Sequence, residues 1–372
     1  MDQALYTLLR AAAPRIEAAR ALPPDVLAAL HAAGLFRLAI PRTLGGGEVD
    51  VVTLMRNVEA LAAADASTAW CVAQAAGCAM SAAYLPEAAA HDVFGDPQAV
   101  LAWGAGANGR AEPVPGGWRI TGRWMFASGA RHATWLGGLC LLAGGAADSG
   151  AAKIRTFLFP RDRATVTDAW QVIGLCGTGS DSYAVSDLLV PADYCFDRTQ
   201  PAAYPGTLYR FPLTHLYPLA FGAVALGLAG AVLGAFTTLA ADKTPRGGAG
   251  LLRDNAAVQC VLGRSAARHG AARAYLFGGA ADIWAALDAG AALMPDHALH
   301  IRAASTHAIQ ESLAVVDALY HEAGASAIFG GNPFERRLRD MHAVAQHVQG
   351  RRANFELVGQ RLLGITGGEL FV

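Results

Sequence analysis

Along residues 1–95 apolar side chains recur at three- and four-residue spacing, the period of helices that bury one face. Pro23-Pro24-Asp25 opens one such helix and Gly34 closes it, because proline suits a first helical turn and glycine the left-handed residue beyond the last. From about residue 98 to 200 the period shortens. Runs 117–124, 135–142 and 154–160 combine aromatic, β-branched and aliphatic residues between Gly, Pro and Asp, which predicts short strands. Helical spacing returns near residue 212, and segments 256–287, 298–324 and 333–363 are each long enough for a bundle helix. The pattern predicts a mainly α chain with a central β-domain. Its parts are an N-terminal helical domain (1–97), a β-barrel-like middle domain (98–205) and a C-terminal four-helix bundle (206–372).

Residues 211–241 contain no Asp, Glu, Lys or Arg, and Gly230 and Gly234 form a GxxxG pair, so length and hydropathy would allow a membrane span. Pro212, His215, Pro218 and four glycines interrupt the run, and neither flank carries a dense basic cluster. A buried bundle helix is the expectation, and one apolar all round also predicts an oligomer, a homotetramer. No membrane is expected.

Composition narrows the class. The 372 residues exceed one typical core, and a net charge of −1 with scattered Lys and Arg provides no stripe for nucleic acid. Cys71, Cys78, Cys140, Cys176, Cys195 and Cys260 have no CxxC spacing, which reads as reduced thiols of a cytoplasmic protein rather than metal ligands or a disulfide frame. The acidic, amphipathic start Met1-Asp2-Gln3-Ala4-Leu5-Tyr6 is not expected to be a signal peptide.

Five segments carry candidate chemistry. The first is Gly122-Arg123-Trp124-Met125-Phe126-Ala127-Ser128-Gly129; the second is Gly174-Leu175-Cys176-Gly177-Thr178-Gly179-Ser180, a glycine-rich turn with no lysine to make it a P-loop. Ser67-Thr68-Ala69-Trp70 places an indole on a helix. Gly330-Gly331-Asn332-Pro333 opens the last helical segment, whose backbone amides would suit a phosphate. That segment then holds Arg339-Asp340 and, seven residues on, His347 followed by Val348.

Together these segments resemble the acyl-CoA dehydrogenase superfamily over essentially the whole chain. In many of its dehydrogenases a Glu at the place of Val348 removes a thioester α-proton; valine cannot, and the neighbouring His347 resembles the flavin-dependent monooxygenase branch. The dehydrogenases' Thr-Glu-Pro-x-Ala-Gly-Ser-Asp signature is almost wholly absent at residues 102–109, and Cys176 stands where the family frequently has Arg. The resemblance implies the oxygenase component of a two-component system. Reduced FMN or FAD would come from a separate flavin reductase, dioxygen would be co-substrate, and an aromatic or related small molecule would be hydroxylated through a C4a-hydroperoxyflavin. No metal is implied. It also implies roles: Trp124, Phe126, Ser128, Thr178, Gly330 and Gly331 toward flavin, the two glycines from an adjacent subunit, and Trp70 toward substrate. Ser128 would keep the flavin N5 protonated, while His347, titrating near neutrality, would either deprotonate the substrate or hydrogen-bond the peroxide. An N-oxygenase of an amine or amino sugar, an acyl-CoA dehydrogenase-like oxidoreductase and a non-catalytic scaffold on the same fold remain as alternatives.

Overall fold

In the computed structural model, residues 2–143, 153–247 and 250–365 are described. Five helices come first: α1 (Gln3–Ala19), α2 (Pro24–Ala32), α3 (Val51–Ala64), α4 (Ala66–Ala79) and α5 (Glu87–Phe94). Asp50 and Asp65 cap α3 and α4 by accepting the amides of Thr53 and Thr68 at 2.8 and 2.7 Å, which satisfies donors that a helix start leaves free. Gly34, just past α2, takes φ 67°, the left-handed turn anticipated for it. Every residue of α4 is buried except Gln74. This helix therefore runs through the middle of the molecule.

Eight strands follow: β1 (Leu101–Trp103), β2 (Gly109–Val114), β3 (Gly117–Ala127), β4 (Trp135–Leu142), β5 (Ile154–Pro160), β6 (Thr165–Thr167), β7 (Asp181–Pro191) and β8 (Cys195–Phe196). They pair in the order β6-β7-β3-β2-β4-β5-β8, with β1 added beside β4. The barrel-like expectation becomes a mixed sheet: β2 and β4 are parallel, and β6 and β8 stand at opposite ends of the path. Trp124 fills its core, stacked on Tyr183 at 5.4 Å. Gly122 and Gly138 make room for that indole, since a Cβ on either would come within 2.5 Å of it.

The chain then returns to helices: α6 (Thr207–Arg210), α7 (Leu213–Asp242), α8 (Ala256–Asp288), α9 (Pro295–Ala323), α10 (Pro333–Gln346) and α11 (Ala353–Leu362). α7 is long and apolar enough to cross a membrane, yet 72% of its most apolar window is buried inside the fold. From Pro218 to Ala229 it is buried on every side, packed against α3, α4 and α9, and its last turns bury only the stripe Val232, Phe236 and Ala240.

The continuous helix expected over 333–363 is broken. α10 stops at Gln346, His347 is extended at φ −65° and ψ 150°, and a 3-10 turn (Val348–Gly350) intervenes before α11. The reason lies on α9. Thr306 Oγ1 donates to the Gln349 carbonyl at 3.0 Å and Gln310 Nε2 to that of Gly350 at 2.6 Å, while Asn354 Nδ2 takes the carbonyl of Val348 at 3.0 Å. These side chains supply the partners a helix would have supplied, so the break leaves its carbonyls satisfied.

Candidate active site

β3 ends at the site through a distortion. Its register with β7 slips between Trp124 and Ala127, and Phe126 within the slip has φ 62°. For a bulky L-residue that conformation costs on the order of 1–3 kcal/mol and persists where the surroundings impose it. Its result is that the Phe126 ring stands 58% exposed, edge-on to Trp170 at 6.0 Å, while Ser128 turns inward. Met125 and Phe126 line an open groove of about 430 Å³ with Ala105, Gly106, Asn108 and Arg123.

Ser128 belongs to a directed chain of hydroxyls. Trp70 Nε1 donates to Ser128 Oγ at 3.1 Å, Ser128 Oγ lies 2.7 Å from Ser180 Oγ, and Ser180 Oγ lies 2.7 Å from Thr178 Oγ1. Thr178 Oγ1 closes the chain on the Leu175 carbonyl at 2.8 Å. An indole N–H can only donate and a carbonyl can only accept, so the protons between them run from Ser128 to Ser180 to Thr178 to Leu175. Ser128 thus gives its proton away and keeps a lone pair. The glycine-rich turn is held in place by backbone too: Gly129 N donates to the Thr178 carbonyl at 2.9 Å.

His347 reaches the same indole from the other side. Its ring stands edge-on to Trp70 at 5.1 Å and to Phe221 of α7 at 4.8 Å, and Trp70 stacks on Phe221 at 3.9 Å. Nδ1 accepts the Gln349 amide at 3.3 Å, so the neutral ring carries its proton on Nε2 and presents a donor. Burial pushes the imidazole down to about 4, and the Arg351 and Arg302 guanidiniums add to the shift. This corrects the expected titration near neutrality. At pH 7 His347 is a neutral N–H donor.

The Arg339-Asp340 pair is an anchor rather than a reagent. Arg339 bridges Glu17 of α1 and Glu335 of α10, and also donates to the Ile173 carbonyl at 2.7 Å. Asp340 Oδ1 accepts the Leu175 amide at 2.6 Å, which fixes the start of the Thr178–Ser180 turn. Burial pushes the Asp340 carboxyl up to about 7; the Leu175 amide opposes the shift and nearby Asp65 reinforces it.

The structure brings Trp70, Ser128, Thr178 and His347 together, with Phe126 at the groove beside them. Thr178 stands behind Ser180, two hydrogen bonds from Ser128, its side chain buried and its hydroxyl engaged on both sides. Trp124 does not join them. It is fully buried in the sheet interior, its Nε1 donating to the Leu139 carbonyl at 3.1 Å, because the register slip between Trp124 and Ala127 breaks the alternation of β3 and leaves Phe126, but not Trp124, on the groove side. Its assignment to flavin is thereby corrected. Gly330 and Gly331 lie in an exposed turn beside exposed Ile328 and Phe329, and among the described residues no hydrogen bond or ring contact joins that turn to Ser128 or His347. Ser180 and Phe221 were missed as site residues. Ser180 sat inside the glycine-rich segment, and Phe221 inside a helix read only for packing.

A flat ring with an apolar face and a polar edge fits this arrangement: an exposed aromatic side chain beside the groove, a hydroxyl with a spare lone pair, and an imidazole N–H. Those are the demands of an isoalloxazine.

Comparison with known proteins agrees. Residues 5–89 match the acyl-CoA dehydrogenase N-terminal domain and residues 219–352 the acyl-CoA dehydrogenase C-terminal domain. The chain is 29% identical to the flavin-dependent monooxygenase oxygenase subunit HsaA of Rhodococcus jostii, over 92% of each chain. It is 32% identical to a pigment production hydroxylase of a Rhodococcus species, over 71% of this chain and 70% of that one. The structure of XiaF from Streptomyces, in complex with FADH2 and glycerol, superposes with a TM-score of 0.92 at 25% identity, covering 99% of this chain and 95% of that one. By these matches the chain belongs to the acyl-CoA dehydrogenase superfamily, in its branch of flavin-dependent monooxygenases.

Proposed function

We propose that this chain is the oxygenase component of a two-component monooxygenase that hydroxylates an aromatic or related small molecule, with reduced flavin delivered by a separate flavin reductase. The bound reduced flavin supplies two electrons and two protons, so that one atom of dioxygen enters the substrate and the other leaves as water. The observation that carries the residue roles is the sharing of one indole: Trp70 donates to Ser128 and stands edge-on to His347. Ser128, its own proton committed to Ser180, offers a lone pair to the N5–H of a reduced flavin and so holds that proton in place. His347 offers its Nε2–H to the oxygen that leaves, which supports the donor role over the base role. Trp70, Phe221 and the apolar length of α7 exclude water from the space between them.

The two residues should fail differently. With reduced flavin, oxygen and an aromatic substrate, Ser128→Ala should release hydrogen peroxide at the expense of product. His347→Ala should keep peroxide release low but slow product formation by roughly a hundred-fold, typical of losing a general acid or base. Product formation by His347→Ala at the wild-type rate would remove that residue from the chemistry. Free thiols at all six cysteines support a cytoplasmic location, and the exposed apolar residues Ile328, Phe329, Leu362 and Leu363 support a homotetramer.

A further inference from the structure

His347 caps the turn that follows it. Its Nδ1 accepts the Gln349 amide at 3.3 Å, a donor that the start of the 3-10 turn Val348–Gly350 leaves free. Such a cap needs a lone pair on Nδ1, because an imidazolium would set one N–H against another. Gln349 is itself held on every polar group that faces inward. Its carbonyl accepts from Thr306 Oγ1 at 3.0 Å and Asn354 Nδ2 at 3.1 Å, and its side-chain Oε1 accepts from Arg302 Nη1. Arginine can only donate, so this contact also decides which end of the carboxamide meets it.

Arg302 comes from α9, 47 residues before Gln349, and both side chains are buried. Burial pushes the guanidinium down only to about 10, so it stays charged at neutral pH. Its charge and that of exposed Arg351 act on the His347 ring and disfavour the imidazolium. On the other elements around the ring, α4 has no Asp, Glu, Lys, Arg or His, and α7 brings His215, pushed down to about 4 by burial and by Arg302. The Asp340 carboxyl of α10 is turned to the Leu175 amide, and Arg352, beyond the turn, reaches Gln310 at 3.4 Å. A glutamine at 349 takes the hydrogen bond of the guanidinium without cancelling its charge, whereas a glutamate would do both.

We propose that Gln349 and Arg302 are positioning residues for His347: Arg302 fixes Gln349, Gln349 fixes the ring through Nδ1, and the pair holds the imidazole neutral with its one proton on Nε2. The backbone amide supplies the orientation and the guanidinium supplies the field. The turn that ends α10 therefore serves the donor at His347 as well as the fold. What the Nε2 proton is used for rests on the monooxygenase reading; how it is held does not.

Solid-state nitrogen NMR of the full-length chain, labelled at histidine, reads the protonation of both ring nitrogens, and the His347 signals are those that disappear in His347→Ala. In wild type His347 should show a bare Nδ1 and a protonated Nε2 from pH 6 to pH 8. Gln349→Glu should keep that tautomer at pH 8 but raise the midpoint of ring protonation from about 4 to roughly 5–6, because its carboxylate cancels the charge of Arg302. Arg302→Met should raise the midpoint in the same way, whereas Arg302→Lys, which keeps the charge, should leave it near 4. A wild-type proton on Nδ1, an imidazolium at pH 6, or a midpoint that neither Gln349→Glu nor Arg302→Met moves overturns the proposal. The wild-type tautomer decides even if those variants fail to fold. With reduced flavin, oxygen and an aromatic substrate, the rate of product formation by Gln349→Glu should acquire a limb at the new midpoint, since protonation breaks the cap. A midpoint that moves without such a limb would keep the positioning pair and sink the donor role of His347.

Discussion

Asp340 offers a prediction whose size follows from the structure. Its carboxylate is 5% exposed and accepts the Leu175 amide, and burial raises it from 3.8 to about 7. As pH climbs past 3.8 the unfolded chain releases this proton while the folded chain holds it until about 7, so folding loses about 1.4 kcal/mol per pH unit across that window. The contribution is most favourable in acid and is lost as pH rises through the folded value, with no further change above it. Asp340→Asn keeps an oxygen for the Leu175 amide and cannot ionise. The variant should therefore gain on wild type as pH rises, by about 2–3 kcal/mol between pH 5 and pH 8. Urea denaturation of both proteins at one concentration, at pH 5, 6, 7 and 8, reads this difference directly. His132, His215 and His347, each pushed down to about 4, tilt stability the other way below pH 6.5 but do so in both proteins and cancel. A stability difference that stays constant from pH 5 to 8 would refute the assignment of a protonated Asp340.

His347 and Ser180 yield two further tests. Because His347 titrates at about 4, the rate of product formation should be flat from pH 5.5 to 8 in wild type; a limb centred near 6.5 that vanishes in His347→Ala would show a base instead of a donor. Ser180→Ala removes the acceptor of the Ser128 proton and should raise hydrogen peroxide release above wild type but below Ser128→Ala. An unchanged ratio of peroxide to product would mean that Ser128 is not oriented by this chain.

The helices and strands were legible because their periods differ: 256–287 and 298–324 read as bundle helices and correspond to α8 and α9, and run 154–160 coincides with β5. The break at His347 was not. Local sequence there continues a helical pattern, and the groups that end it, Thr306 and Gln310, come from α9 about forty residues earlier. The site was half legible for a similar reason. Resemblance to the family's flavin-side segment marked Phe126 and Ser128, but which side of the strand Trp124 would take depends on the register slip that gives Phe126 its positive φ. Ser180 differs from Thr178 only in facing Ser128, a property of the fold of the turn.

Trp70 explains why the three parts of the chain must pack correctly for any chemistry to occur. One indole from the N-terminal helices donates its N–H to Ser128 at the end of β3, offers its face to Phe221 of α7, and meets the His347 ring edge-on. The hydroxyl chain then continues through Thr178 to Leu175, and from the Leu175 amide to Asp340 on α10, seven residues before His347. The donor at His347 and the acceptor at Ser128 are therefore positioned by two connected routes, one through the indole and one through the turn and α10. A shift of α10 relative to the sheet moves both groups together. Their spacing is set by packing between the parts, and neither part alone could hold it.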